Sequence, residues 1–296
     1  MSDSDLKPWL KQTQKEVDSA LGRFLPRESA APKTIHKAMR YSIFAGGKRL
    51  RPILTLAAAE ACGGGIENAL APACATEIMH TYSLVHDDLP CMDDDDLRRG
   101  RPTSHKVFGE GMAVLTGDAL LTQVFIVIAQ TPETKRYSVK DYLEEIAETG
   151  GSKKLIGGQV LDLEGEGKQL TKKELIKIHE NKTAALLTCS VRLGAMTANA
   201  TPAKLEALTT FGYNLGLAFQ VIDDILDVTQ TTEMLGKTAG KDEAVDKSTY
   251  PAILGLEASR KEAARLTKKA LKTLEIFGKK GKRLEQIARY LLEREY

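Results

Sequence analysis

The segment AKLEALTTFGYNLGLAFQVIDDILDVT, residues 203–229, decides how this chain folds. It contains no proline, and its apolar residues recur at three- and four-residue spacing, which predicts one long helix. Leu217, Val221, Ile225 and Val228 make one apolar stripe. The neighbouring face carries Gln220, Asp223, Asp224 and Asp227. Asp223 and Asp227 sit one turn apart, where like charges cost about 0.2–0.5 kcal/mol even in water. A helix written on two faces belongs at the centre of a bundle, packed on one side and bordering a cavity on the other.

The same periodicity runs outward through the chain. Helices are expected near 6–22, 33–44, 52–62, 68–88, 112–130, 138–151, 172–199, 203–229, 250–277 and 282–295, and strand alternation is nearly absent. Pro26, Gly46-Gly47, Gly63-Gly64-Gly65, Pro90, Pro102 and Gly278 mark breaks. With 296 residues, 42% of them hydrophobic and 28% charged, and no repeat or low-complexity linker, the expectation is a single all-α domain over residues 1–296. Lys+Arg number 42 against Asp+Glu 40, a formal net charge of +2, which argues against a nucleic-acid partner held by bulk charge. The apolar run 113–129 is interrupted by Thr116, Gly117, Asp118, Thr122 and Gln123, so no membrane span is expected. The acidic start Met1-Ser2-Asp3-Ser4-Asp5 lacks the apolar core of a secretory signal. Cys62, Cys74, Cys91 and Cys189 form no Cys-x-x-Cys pair, and a cytoplasmic protein with reduced thiols is the expectation.

A second acidic constellation is His86-Asp87-Asp88-Leu89-Pro90-Cys91-Met92-Asp93-Asp94-Asp95-Asp96. Pro90 disfavours helix at Leu89, so Asp87 and Asp88 should close a helix while Asp93 returns from the loop. An acidic run alone is more often a solvated loop. Two separate clusters at helical positions instead favour a polyphosphate site bridged by Mg²⁺, which takes one or two carboxylates plus phosphate oxygens. Cations flank both clusters: Lys48, Arg49 and Arg51 after a glycine turn, Arg98 and Arg99, Lys182 beside Thr183, and Lys237, Lys241 and Lys247. A lone Lys or Arg is usually a solvated surface residue; here the placement beside both clusters suits diphosphate capture. His80 shares a helix face with Leu84, Asp87 and Asp88, pointing it at the same cavity, although a core histidine bonded to backbone would read alike. His36, His86, His105 and His179 lack such an alignment. There is no Ser-His-Asp triad, zinc spacing, dinucleotide fingerprint or P-loop.

Gly47-Lys48-Arg49-Leu50-Arg51-Pro52, Asp87-Asp88-x4-Asp93 ending in Arg98-Arg99-Gly100, Lys182-Thr183, Phe219-Gln220-x2-Asp223-Asp224-x2-Asp227 and Lys247-Ser248-Thr249-Tyr250-Pro251 together resemble the trans-polyprenyl diphosphate synthase family, most of all its bacterial farnesyl diphosphate synthases. The resemblance spans about residues 35–255. It implies an isoprenoid synthase-like bundle around a substrate cavity, a homodimer, and Mg²⁺ as cofactor, a trio of ions once substrate is bound. The implied activity is head-to-tail condensation of isopentenyl diphosphate with dimethylallyl or geranyl diphosphate, releasing diphosphate and yielding farnesyl diphosphate. Carried over by position, Lys48, Arg51, His80 and Arg99 would hold isopentenyl diphosphate. Asp87, Asp93 and Asp223 would ligate Mg²⁺, with Asp88, Asp224 and Asp227 supporting the metals. Arg98, Lys182, Thr183, Gln220, Lys237 (preferred over Lys241 by spacing) and Lys247 would meet the allylic diphosphate.

Tyr82 and Ser83 lie five and four positions before Asp87, roughly 6–7.5 Å along the helix. The resemblance implies that an aromatic residue there is a floor limiting chain growth, hence a C15 product; a tyrosine merely packed in the core is the plainer reading. Geranylgeranyl or geranyl diphosphate synthase is the alternative. A class I terpene cyclase would leave Gly47-Lys48-Arg49, His80 and Arg99 with nothing to bind, and a non-catalytic partner subunit would be expected to have lost acidic ligands that are intact here.

Overall fold

The computed structural model describes residues 5–229 and 248–292. The chain runs α1 (Leu6–Phe24), α2 (Lys33–Ile43), α3 (Leu50–Cys62) and α4 (Ile66–Asp87), then a two-stranded antiparallel hairpin of β1 (Leu97–Arg98) and β2 (Arg101–Pro102). It continues with α5 (Ser104–Phe108), α6 (Glu110–Ile128), α7 (Val139–Gly150), α8 (Leu155–Gly165) and α9 (Lys172–His179). After them come α10 (Ala185–Thr197), α11 (Pro202–Thr229), α12 (Tyr250–Leu254), α13 (Leu256–Lys272) and α14 (Lys282–Leu292). The all-α expectation holds.

The core lies along both sides of α10. On one side Leu54 and Ala57 of α3 meet Val191 of α10, Phe211, Val221 and Ile225 of α11, and Ile287 of α14. On the other, Leu186 and Leu193 of α10 meet Ile78 and Met79 of α4, Leu21 of α1 and Leu120 of α6. A side chain in such a layer gains roughly 1.5–3 kcal/mol from burial. Glycine sets the spacing where α11 crosses the start of α10. A Cβ on Gly212 would lie 2.7 Å from the Thr188 Cα, and one on Gly216 would lie 2.5 Å from the Ala184 Cα. That close approach brings Gln220, one turn beyond Gly216, level with Thr183.

Several expectations need correction. The apolar stripe of α11 ends at Ile225, because Val228 is 59% exposed. The helix expected over 172–199 contains a π-helical turn, Glu180–Ala184, between α9 and α10. The one expected over 250–277 breaks at Gly255 (φ +80°) into α12 and α13 and then gives way to a 3-10 segment, Thr273–Gly281. The hairpin, α5 and α8 were not expected at all. The expectation of no evident membrane span is not among these corrections: α6 is long and apolar enough to cross a membrane by length and composition alone, as the core helix of a folded protein can be. Three of the interruptions in its apolar run, Thr116, Gly117 and Gln123, are buried on the side of α6 that packs into the protein.

Candidate active site

Between α2 and α3 the chain turns through Gly46 (φ +99°), Gly47 (φ +115°) and Arg49 (φ +51°). Across from it the β1–β2 hairpin turns at Arg99 and Gly100, both with positive φ, as a two-residue hairpin requires. The hairpin separates its two arginines. Arg99 reaches the loop and donates to the Gly46 carbonyl, where a Cβ on Gly47 would lie 2.4 Å from its guanidinium. Arg98 turns back toward α4, with Nε donating to Asp88 Oδ1 at 2.9 Å and Nη2 to Asp95 Oδ2 at 3.0 Å.

A cavity of about 450 Å³ opens beside this loop, and its walls include Lys48, Arg51, His80, Arg99, Phe219 and Asp223. The residues assigned from sequence to isopentenyl diphosphate are therefore brought together, and α11 supplies the far wall. The Arg51 Nε is buried without a hydrogen-bond partner. Burial lowers its pKa to about 10, Glu77 opposing and Arg99 reinforcing the shift, so Arg51 remains a cation at neutral pH. Burial first, then the positive field of Arg51, Arg99, Arg98 and Arg49, holds His80 well below its usual range. A neutral imidazole among guanidinium groups can donate a hydrogen bond to an anion without adding charge.

The acidic side is built from α4, α8, the π-helical turn and α11. As Pro90 predicts, α4 stops at Asp87, and the Asp93 N–H returns to the Asp87 carbonyl at 2.8 Å. Burial pushes the Asp87 carboxyl up to about 6, with Asp93 and Asp88 adding to the rise and Lys182 and Arg98 opposing it. Burial also raises Asp88 against the pull of Arg98. From α8, Gln159 donates through Nε2 to Asp87 Oδ1 while its own Oε1 is buried without a partner. Lys182 Nζ meets Asp162 Oδ2 of α8 at 2.6 Å. A Cβ on Gly158 would lie 2.4 Å from the Lys182 backbone nitrogen, so α8 fits against the turn only with glycine there. Next to Lys182, the Thr183 hydroxyl donates to Gln220 Oε1 at 3.1 Å, Gln220 Nε2 to Asp224 Oδ1 at 3.1 Å, and the Tyr250 N–H to Asp224 Oδ2 at 3.0 Å. The wider π-helical turn thus presents two successive side chains, Lys182 toward α8 and Thr183 toward α11, as such turns do at functional sites.

Asp224 and Asp227 are buried and Asp223 borders the cavity. Among the described residues no three His, Cys, Asp or Glu side chains form a ready metal cage. The donors are carboxylate and amide oxygens, hard ligands that suit Mg²⁺ completed by phosphate oxygens. The buried Asp87 and Asp88, and the orphaned Gln159 Oε1, are groups a cation would satisfy. Tyr82 is buried one turn before His86, its ring edge-on to that imidazole with centroids 6.0 Å apart. Burial and the nearby Asp87 push its hydroxyl up to about 12. The Ser83 hydroxyl is occupied by the His80 carbonyl at 2.9 Å. Lys237, Lys241 and Lys247 lie outside the described residues. Gln159 and Asp162 were missed; their only sequence signal is the pattern Gly157-Gly158-Gln159-x2-Asp162, which is weak by itself.

The polyprenyl synthetase family profile matches residues 32–291. The chain is 50% identical over 267 residues to a chloroplastic geranylgeranyl pyrophosphate synthase of Capsicum annuum, covering 89% of this chain and 72% of that one. It is 44% identical over 270 residues to the farnesyl diphosphate synthase of Bacillus subtilis strain 168, covering 88% and 91%. The crystal structure of geranylgeranyl pyrophosphate synthetase from Pyrococcus horikoshii superposes with a TM-score of 0.90 at 31% identity, covering 99% of each chain. With both aspartate segments and the cation loop inside the matched region, the chain belongs to the polyprenyl synthetase family and is a prenyltransferase.

Proposed function

We propose that this protein condenses isopentenyl diphosphate with dimethylallyl and then geranyl diphosphate, head to tail, to give farnesyl diphosphate. The observation that carries this reading is the shared cavity, in which Lys48, Arg51, neutral His80 and Arg99 face Asp223 and Phe219. The cations there suit one diphosphate, and the carboxylates of α4 and α11 suit a second through Mg²⁺. Asp87, Asp93 and Asp223 would hold the Mg²⁺, supported by Asp88, Asp224 and Asp227. When bound, Mg²⁺ supplies charge neutralisation for the departing diphosphate.

The chain's own groups do the rest. Lys182, paired with Asp162, and Arg98, paired with Asp88 and Asp95, both lower the Asp87 pKa through their charge and are placed to stabilise negative charge as the allylic carbon–oxygen bond breaks. Lys48, Arg51, His80 and Arg99 hold isopentenyl diphosphate so that its double bond meets the allylic cation. The new carbon–carbon bond leaves a tertiary cation, and the proton it loses goes to the released diphosphate. Apolar residues such as Phe219 and Leu226 keep water from the cation.

Tyr82, buried one helical turn and a residue below Asp87, favours a C15 product. The 50% identity to a geranylgeranyl synthase favours a C20 product as the second reading. Assembly as a homodimer is supported by apolar residues left exposed on α6, Val114, Leu115 and Ile126, and on α8, Ile156, Val160 and Leu163. The test is incubation of purified protein with labelled isopentenyl diphosphate and each allylic primer, followed by chromatographic sizing. A C15 end product supports the reading, a C20 end product replaces it with the second, and no condensation overturns both.

A further inference from the structure

The loop that presents Lys48 and Arg51 is tied down through Arg49 by partners, Asp18 and Glu77, that lie outside every motif that marks the family. Between those two cations, Arg49 is 2% exposed and occupies a backbone conformation that L side chains rarely adopt. Its guanidinium is engaged in three directions. Nε donates to Asp18 Oδ1 of α1 at 2.7 Å, Nη1 to Glu77 Oε1 of α4 at 3.0 Å, and Nη2 to the Ile43 carbonyl ending α2 at 2.8 Å. One turn before Asp18, Gln14 Nε2 donates to the Gly47 carbonyl at 2.9 Å. Glu77 is 1% exposed and lies one turn before His80, in the wall of the same cavity. Its carboxylate would repel a bound diphosphate unless a cation occupied it.

We infer that Asp18, Arg49 and Glu77 are positioning residues: Arg49 joins α1 to α4, fixes the backbone that aims Lys48 and Arg51, and neutralises Glu77, a carboxylate set beside the cations of that loop. Helix α1, which carries none of the family motifs, thereby becomes part of the diphosphate site. A buried pair of this kind is costly to break, because the surviving partner keeps its charge without compensation. Asp18 is the arm that reaches solvent, with its side chain 39% exposed, so altering it loosens the brace without leaving a buried charge.

The inference rests on the reading that Lys48 and Arg51 hold isopentenyl diphosphate, and the test separates the two. Full-length Asp18→Asn, Glu77→Gln, Lys48→Ala and the Asp18→Asn/Lys48→Ala double variant are assayed with Mg²⁺ for the KM of each substrate, with thermal unfolding alongside. Asp18→Asn should raise the KM for isopentenyl diphosphate about three- to tenfold, as a small misplacement of binding groups does, and leave the allylic KM within about twofold. Glu77→Gln should act in the same direction and more strongly; Asp18→Asn carries the test if that variant does not fold. In the double variant the effects should fall short of multiplying, because both act through one loop. Equal changes in both KM values, or effects that multiply, overturn the inference. If Lys48→Ala instead raises the allylic KM, the substrate assignment is wrong; the brace then stands where Asp18→Asn follows onto that substrate and falls where it does not.

Discussion

The two sides of the candidate site solve opposite electrostatic problems. On the cation side, Arg49 is neutralised by Asp18 and Glu77, and Arg51 stays charged with a buried donor unused. That side is complete as folded. On the acidic side, Asp87 is buried near Asp88 and Asp93, and its carboxyl is pushed up to about 6 despite Lys182 and Arg98. That side stores unfavourable charge which a divalent cation would relieve. On the proposed reading, one region would receive an anion directly, and the other would receive an anion together with metal.

The largest expected effect breaks the acidic side. Asp87→Ala or Asp223→Ala should each lower the condensation rate by about three orders of magnitude, since each removes transition-state stabilisation. Chelation with EDTA should abolish turnover and leave the helical circular dichroism unchanged. Near-normal turnover of either variant at saturating Mg²⁺ would remove the assignment.

The next effect tests whether the sides serve different substrates. Arg51→Ala and His80→Ala should raise the KM for isopentenyl diphosphate about tenfold or more while moving the allylic KM little. Lys182→Ala should do the reverse and slow ionisation of the allylic substrate. Equal effects on both substrates would mean that the sites are wrongly divided. A qualitative prediction concerns the floor: Tyr82→Ala should shift product toward C20 or longer with unchanged Mg²⁺ dependence. A variant that still stops at C15 would move the control of length elsewhere in the wall.

The smallest effect sharpens the contrast through stability. An aspartate whose folded pKa is raised costs stability above that pKa, and the cost vanishes below the unfolded value. For Asp87 the window runs from about 6 down to the ordinary value of 3.8. In EDTA, Asp87→Asn should therefore be more stable than the parent by about 1–2 kcal/mol at pH 8 and equal to it below pH about 3.8, while losing activity. Thermal melts at both pH values decide it; a variant less stable than the parent at pH 8 would show that the acidic side carries no such cost.

Much of this contrast was legible in the sequence because charge inside an apolar helix is expensive. Asp223, Asp224 and Asp227 stood out against Val221 and Ile225, and Pro90 placed the end of α4 and the return of Asp93. Other features left no local trace. Helix α8 is brief and its Gly157-Gly158 pair weakens any helical signal, so Gln159 and Asp162 were overlooked. The π-helical turn at Lys182 keeps the same residues in the same order as an α-helix. The hairpin that sends Arg98 and Arg99 in opposite directions is only two residues on each side. Arg49 meets Asp18 and Glu77 across separations of 31 and 28 residues, contacts that only the packing of α1, α3 and α4 creates.

The most direct test of the two-sided account is equilibrium binding by calorimetry with and without Mg²⁺. Isopentenyl diphosphate alone, and a non-ionisable thio analogue of dimethylallyl diphosphate, are titrated into the protein in EDTA and again in Mg²⁺. The account predicts that isopentenyl diphosphate binds with Kd values within about threefold in the two buffers, since Arg51, Lys48 and Arg99 need no metal to meet a diphosphate. It predicts that binding of the allylic analogue is lost in EDTA. Loss of isopentenyl diphosphate binding in EDTA to the same degree as the analogue would contradict it.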